Sequence, residues 1–500
     1  DAMNALDKAV VVCPELSSGW DQRGQLYAEL GLWDRALEDR RRAFEINEPA
    51  LAEQWRSYVA LVAHAGDSDD YRRLCLKMRE RFQGYGGLIA ADVVRTCCLI
   101  PAEKTDYSFL VELMRLSRRP IPEPLIMYAQ GLAQYRAGRY EDAIASCLGS
   151  LRASETWVER PLNFPVLALA YERRGDGNNA ESYFKQAAQA GDRWIQDLYA
   201  SGEKNWVLHK GASGDWAIAP FSWLEFSLLL NEARIRLDHP KPGDDPRLVV
   251  LQARAFAAIR RFNDADAAYQ RAAALAPHDN RIQMERLRCQ AYWCLHRNDF
   301  AGAARLLTAA RRIDPDDIRL WDNLAQAYLA AGDPDAYRRE CGEMIRRFAH
   351  TTDPAIADRV VWMCANGASN VPNLEQLLPL ADLAITEFPG AARTKGALLL
   401  RIGRYEEAMK SFAAASRFHV PIPIDMCLQS IACQHLGRVK QSRAFFDEAA
   451  RWIDEANRLE LPDVAQRKPS WANLGWNDRL ESLRLFDEAK SLISEGAATR

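Results

Sequence analysis

The residues of this chain that could do chemistry are scattered, and their spacing matches none of the usual reacting constellations. The glycines Gly84, Gly86 and Gly87 in QGYGGL are the nearest approach to a phosphate cradle. Such a loop works when a strand leads through it into a helix N-terminus, and here it follows a helical pattern. The eleven cysteines come closest together at Cys289 and Cys294 and at Cys427 and Cys433. Neither pair has the second Cys or His pair of a zinc site. The eight histidines are dispersed, with His64, His296 and His435 at the ends of helical patterns. Carboxylates abound but sit beside Lys and Arg on outer helical faces, as in DRALEDRRRAFE at 34–45. The signatures GxxxxGK[ST], GxSxG, HExxH, HRD and DFG do not occur. No catalytic residue, metal site or cofactor is therefore expected, and an enzyme of unrecognised class is a remote alternative.

Composition narrows the remaining classes. At 500 residues the chain exceeds one ordinary core, which points to several domains or an elongated array. A net charge of −3 is a poor match to nucleic acid or to an anionic lipid surface. No apolar run reaches the length of a membrane span, and the N-terminus lacks a leader pattern. An odd number of cysteines set inside helical patterns suits small buried side chains in a reducing compartment, and the bacterial cytoplasm is the expected location.

Apolar residues recur at three-and-four spacing almost throughout, which predicts an all-α fold. Self-similarity appears at about 34 to 38 residues. One stretch from Trp20 carries Trp20, Gly24, Tyr27, Gly31, Ala36 and Ala43, and another carries Trp321, Ala325, Tyr328 and Gly332. Further partial sets are Gly131 and Gly138, then Ala168, Tyr171 and Gly175, then Ala253, Phe256, Ala265, Tyr269, Ala272 and Pro277. These marks resemble the tetratricopeptide repeat, a helical hairpin in which small residues permit close approach and aromatics fill the gap to the next hairpin. The resemblance implies a solenoid of such hairpins.

A longer period overlies the short one. AGDSDDYRRLCLKMRERF at 65–82 returns as AGDPDAYRRECGEMIRRF at 331–348 with eleven of eighteen positions identical. The offset of 266 shrinks to 265 at Gly138 and Gly403, to 262 at Gly175 and Gly437, and to 256 at Leu224–Glu225 and Leu480–Glu481. The chain reads as two tandem copies of one module, each with about four hairpins, a Trp-containing connector and a final helix. Module 1 spans 1–236 with its connector at about 190–222, a Pro-rich linker spans 237–247, and module 2 spans 248–500. The opening DAMNALDKAVVVCP aligns with the second helix of a hairpin, so an upstream segment of a larger polypeptide is expected.

Within the repeated stretch, Tyr71, Cys75, Met78 and Phe82 share one helical face, as do Tyr337, Cys341, Met344 and Phe348. A core stripe is the expected role. Asp67 and Asp333 are placed to cap the following helix. Arg72–Arg73 and Arg338–Arg339 read as a solvated or salt-bridged face, with an anion site as the competing reading.

Stacked hairpins line an inner groove with their first helices, and such grooves hold peptides or partner helices. The register directs Asp21, Gln25, Arg56, Tyr128, Tyr135, Arg136, Glu172 and Arg173 toward the groove of the first copy. It directs Asp322, Gln326, Arg393 and Arg401 toward that of the second. Trp206, Trp216 and Trp471 in the connectors are candidate anchors, or pins that hold the connector on the last apolar face. Protein or peptide partners are expected, with self-association a further possibility.

The module ends carry a second resemblance. ADVVRTCCLIP and ADRVVWMCANG, YRAGRYEDAI and RIGRYEEAM, and WLEFSLLLNEARIRL and WNDRLESLRLFDEAKSLI are similar to the tetratricopeptide region that ends large bacterial serine/threonine protein kinases. That resemblance implies a non-catalytic recruiting region. With no kinase or propeller segment in this chain, no catalytic residue carries over. The alternative is a free-standing adaptor that assembles a complex.

Overall fold

The computed structural model describes residues 2–101, 107–115, 123–200, 219–367, 371–458, 471 and 476–498. The described residues are all-α and contain no strand. They form two compact units, 2–278 and 279–500.

In the first unit α1 (Ala2–Val12) precedes five antiparallel pairs. These are α2 (Ser17–Glu29) with α3 (Trp33–Ile46), α4 (Ala52–His64) with α5 (Ser68–Arg81), and α6 (Leu88–Cys97) with α7 (Tyr107–Arg115). Then come α8 (Glu123–Arg136) with α9 (Tyr140–Ala153), and α10 (Asn163–Arg174) with α11 (Gly177–Ala200). A single helix, α12 (Pro220–Arg236), follows, and the pair α13 (Pro246–Ala258) and α14 (Phe262–Leu275) completes the unit.

The second unit repeats the plan with α15 (Asn280–His296) and α16 (Phe300–Ile313), α17 (Ile318–Ala330) and α18 (Pro334–Phe348), and α19 (Pro354–Asn366) and α20 (Leu378–Glu387). It continues through α21 (Ala392–Arg401) and α22 (Tyr405–Ala415), then α23 (Pro423–His435) and α24 (Val439–Arg458), to the single helix α25 (Trp476–Ala498). The helices α1–α12 thus recur in order as α14–α25. The sequence expectation of about four hairpins is one short in each copy, because the pairs α6–α7 and α19–α20 lack the Trp, Gly and Ala marks.

Local chemistry explains the pairs. Tryptophan at the start of a first helix donates its indole N–H to a proline carbonyl six residues earlier in three repeats: Trp20 to Pro14 at 2.8 Å, Trp55 to Pro49 at 3.0 Å and Trp321 to Pro315 at 2.9 Å. The bond fixes how the chain enters the helix; the Trp55 and Trp321 rings pack into the core, and the Trp20 ring is half-buried. Asp67 accepts from the Asp70 amide at 3.1 Å and Asp333 from the Ala336 amide at 2.8 Å, which caps α5 and α18. Gly138 and Gly403 turn between paired helices at φ 77° and 80°, a region that admits glycine without a Cβ clash.

The shared stripe is core in both copies. Tyr71, Cys75, Met78 and Phe82 are buried, as are Tyr337, Cys341, Met344 and Phe348. The Tyr71 hydroxyl donates to the Thr96 carbonyl at 2.8 Å, and Tyr337 does the same to the Met363 carbonyl. Arg72 and Arg73 pair with Asp69 and Asp70 on the exposed face of α5, and Arg338 pairs with Asp335 on α18. All eleven cysteines are free thiols, and most are buried.

The linker 237–247 is non-helical up to Asp245, the cap of α13. His239 stacks on Phe184 at 4.3 Å and bonds Glu181 at 2.8 Å, while Arg247 reaches Asp192 at 2.6 Å. The segment is thereby strapped along α11.

Helix pairs meet most closely at small residues. A Cβ on Gly131 would overlap the Cys147 sulfur and lie 3.2 Å from the Ala143 carbonyl oxygen, and one on Gly396 would overlap the Phe412 ring. Overpacking of this kind costs about 1–3 kcal/mol. Gly131→Ala should lower stability by that amount in urea unfolding, and adding Cys147→Ala should recover a large part of the loss.

Candidate functional site

The inner groove of each copy of the repeated plan is occupied by the single helix that ends that copy, α12 in the first and α25 in the second. In the first unit α12 crosses the row of first helices α4, α6, α8 and α10, held by charge at two acidic side chains one i, i+7 step apart. Glu225 receives Arg95 of α6 at 2.9 Å through Nε and 2.6 Å through Nη2, and the Tyr128 hydroxyl of α8 at 2.7 Å. Glu232 receives both Arg136 Nη groups at 2.6 Å and the Tyr135 hydroxyl at 2.9 Å. Arg236, at the end of α12, reaches Glu172 of α10 at 3.1 Å.

The ion pairs are desolvated. The side chains of Arg95 and Glu225 are 4% and 2% exposed. Burial depresses the Arg95 guanidinium, but Glu225 and Glu159 outweigh it and hold the group above the usual arginine range. Arg136 behaves alike beside Glu232 and also donates to the carbonyls of Cys98 at 2.9 Å and Leu99 at 3.1 Å. Both ends of each contact are fixed by further hydrogen bonds, the condition under which a buried pair offsets its desolvation.

The second unit repeats the arrangement with α25. Glu488, the counterpart of Glu232, receives Arg401 of α21, whose remaining donors bond the carbonyls of Ala365 at 2.9 Å and Asn366 at 3.1 Å. Glu481, the counterpart of Glu225, meets Gln326 of α17 and the Trp362 indole N–H of α19 at 3.2 Å. Both donors are neutral. Burial, with Asp322 and Asp478 adding to it, pushes the Glu481 carboxyl up to about 8. Burial also raises Asp322, against the opposing pull of its partner Arg359.

The side chains that the register directs inward are placed as follows. Tyr128, Tyr135 and Arg136 lie beneath α12, and Glu172 sits at its end. Arg56 lies 3.1 Å from Asp92. Asp21 and Gln25 form a separate cluster at the start of the unit, where both receive Arg40. Arg173 is exposed and donates to the Tyr140 hydroxyl at 3.0 Å. In the second unit Asp322 and Gln326 face α25, Arg401 holds Glu488, and Arg393 lies 4.9 Å from the Trp362 ring centroid.

Among the connector tryptophans, Trp206 and Trp216 lie outside the described residues. Trp471 donates to Asn457 at 2.8 Å and meets Trp452 edge-on at 5.1 Å, so it is held against the end of α24.

One stretch of the first groove stays open past α12. Tyr107, Tyr135, Tyr140, Arg136, Arg173 and Arg236 line a cleft of about 310 Å³ together with Glu232. Arg173 makes no ion pair among the described residues. No group of three or more His, Cys, Asp or Glu gathers in metal-binding geometry among the described residues, and no described helix is long and apolar enough to cross a membrane.

Glu225 and Glu481 enter the sequence reading as markers of the duplication and not as groove residues, and Glu232 and Glu488 do not enter it, although their signal is there. L-E-x3-L-x2-E-A occurs as Leu224, Glu225, Leu229, Glu232 and Ala233, and again as Leu480, Glu481, Leu485, Glu488 and Ala489. Apolar positions four or five apart with acids seven apart mark one helical face.

Removing Arg95 would leave Glu225 buried without a cation, at a cost of about 3–5 kcal/mol. Arg95→Met should show a loss of that size in thermal or urea unfolding of the first unit. Glu481 has the opposite sign. Its folded-state value lies above the ordinary 4.5, so folding favours the protonated form, and that stability, complete below about 4.5, is lost as pH rises through about 8. Glu481→Gln should therefore gain on the wild type as pH rises across that window, read as the difference between their unfolding midpoints.

Comparison with known proteins identifies the repeat in one part of the chain. Residues 295–338, which run from the end of α15 through α16 and α17 into α18, match the family described as "Tetratricopeptide repeat". No curated protein matches the chain. Solved structures similar to it include yeast Tom70, at 13% identity and a TM-score of 0.28 with 96% of each chain covered. The Cut9–Hcn1 hetero-tetramer of the APC/C gives 10% identity and 0.32 over 93% of each chain. Naa15/Naa10 bound to HypK-THB gives 12% and 0.31 over 100% of this chain and 89% of that one. The chain is an all-α protein of tetratricopeptide-like helical hairpins, with the repeat's own sequence pattern matched over 295–338.

Proposed function

We propose that this chain is a non-catalytic protein-interaction scaffold. The observation that carries the reading is that each unit holds an amphipathic helix across its row of first helices through buried ion pairs and apolar contacts. A surface that binds a helix within its own chain has the shape and chemistry to bind protein segments. More narrowly, the repeated module-end motifs support a role as the partner- or substrate-recruiting C-terminal region of a bacterial serine/threonine kinase signalling protein in the cytoplasm. A free-standing adaptor is the second reading, since the chain contains no kinase motif of its own. An immunoblot of source cells separates the two: a band well above 56.5 kDa that yields kinase peptides supports the first, and a band at that mass the second.

The open cleft beside α12 is the contact surface assigned here to the first unit. Its arginines outnumber its carboxylates, and its tyrosines offer ring faces and hydroxyls, a combination suited to an acidic peptide segment. Arg173→Glu should weaken capture of a crosslinking-verified partner about tenfold, corresponding to roughly 1.4 kcal/mol, with circular dichroism unchanged. Capture equal to that of the wild type would remove the cleft from the interaction surface.

A further inference from the structure

The two grooves hold equivalent helices but differ in charge. In the first, Arg56 faces Asp92 at 3.1 Å and Arg95 faces Glu225 at 2.6 Å. At an offset of 266 the two cations become Asp322 and Val361, while the acids persist as Asp358 and, at the offset of 256, Glu481. Two guanidinium groups have been exchanged for an acid and an apolar side chain; Asp92 and Glu225 keep their counterparts, whereas Glu159, which also pairs with Arg95, falls on the Pro421–Ile424 stretch and has none.

The consequence is an acidic floor. Asp322 on α17 is 5% exposed and lies close enough to Glu481 to raise it. Asp358 on α19 has a buried oxygen, Oδ1, with no hydrogen-bond partner. Three cations lie near this floor. Arg359 pairs with Asp322 from a half-exposed position, Arg393 lies over Trp362 and with Arg359 opposes the rise of Asp358, and Arg484 of α25 donates to Asn366 and opposes the rise of Glu481 without bonding it. Asp478 on α25 adds a further negative charge. At this point α25 brings a carboxyl to a site that would favour a cation, whereas its Leu485, Ala489 and Glu488 fit the groove as their counterparts fit the first.

We propose that the second groove binds, in place of α25, an amphipathic helix of a protein partner that carries Arg or Lys where α25 carries Glu481. Such a helix keeps leucine, leucine and glutamate at the positions of Leu480, Leu485 and Glu488. This rests on the scaffold reading above and names its partner's chemistry. A tethered helix competes at an effective concentration in the millimolar range, so an incoming helix must bind better than α25 itself. Replacing a buried carboxyl that meets only neutral donors with a cation beside Asp322, on a floor that also holds Asp358, supplies that advantage.

The test uses the full chain and synthetic peptides of residues 476–498, unaltered, with Glu481→Arg, and with Glu481→Arg plus Glu488→Lys. The Glu481→Arg peptide should bind at least tenfold more tightly than the unaltered peptide by fluorescence anisotropy and should raise hydrogen exchange throughout α25. The doubly altered peptide should lose this binding through repulsion from Arg401. Asp322→Asn or Asp358→Asn in the chain should weaken the Glu481→Arg peptide and leave the unaltered one unchanged. A peptide of residues 220–236 should leave exchange of α12 as it was. Tighter binding of the unaltered peptide would overturn the proposal in favour of helix exchange between two copies of the chain. Equal binding of all peptides, or no change in α25 exchange, would overturn it outright. Partner capture that still responds to Arg173→Glu would in that case leave the scaffold reading standing.

Discussion

A carboxylate buried in a helical groove is tolerated when donors meet it, and the placement of both final helices follows from that constraint. Glu225 and Glu232 on α12, and Glu488 on α25, each meet a guanidinium whose other N–H groups are fixed by backbone carbonyls or hydroxyls. Those carbonyls, at Cys98 and Leu99 and at Ala365 and Asn366, lie where the first helix of the third hairpin ends. The unpaired carbonyls of a helix C-terminus thus orient the arginine that locks the final helix. The ends of α6 and α19, the arginines of α8 and α21, and the acids of α12 and α25 form one device, built twice.

Hairpin packing makes the device possible. Glycine at 131 and 396 lets the paired helices α8–α9 and α21–α22 close on one another, which sets Arg136 and Arg401 at a fixed height over the groove. The apolar stripe of α5 and α18 anchors the second hairpin beneath α6 and α19 through the tyrosine hydroxyls of Tyr71 and Tyr337. Substitutions at these places would act on the groove through position, without touching it.

The duplication makes each copy a reference for the other. The common positions are those that hold a helix in the groove, and the divergent ones set its charge. Arg56 and Arg95 against Asp322 and Val361 is one such contrast; Tyr135, Arg173 and Arg236 against Leu400, His435 and Leu492 is another. The first unit pairs its buried acids and keeps a basic cleft at its rim. The second buries Glu481 of α25 against neutral donors and lacks those three cleft residues. Two copies with one fold thus present grooves of different charge.

Helical periodicity, the turn glycines, the Asp caps and the repeated small and aromatic marks were legible in the sequence because each is a local requirement that recurs at a set spacing. The duplication was legible for the same reason, and so was the core role of the Tyr71 and Tyr337 stripes. An expected direction for side chains of the first helices was legible, since positions at set spacing share one helical face. What covers that face was not. Glu225 meets Arg95 across 130 residues, and Arg401 meets Glu488 across 87, and neither separation leaves a trace in local pattern. Sequence by itself determined the hairpins and their repetition. Tertiary structure decided that the final helices fill the grooves and which buried acid lacks a cation, because desolvation and ion pairing depend on distances that form when distant helices meet.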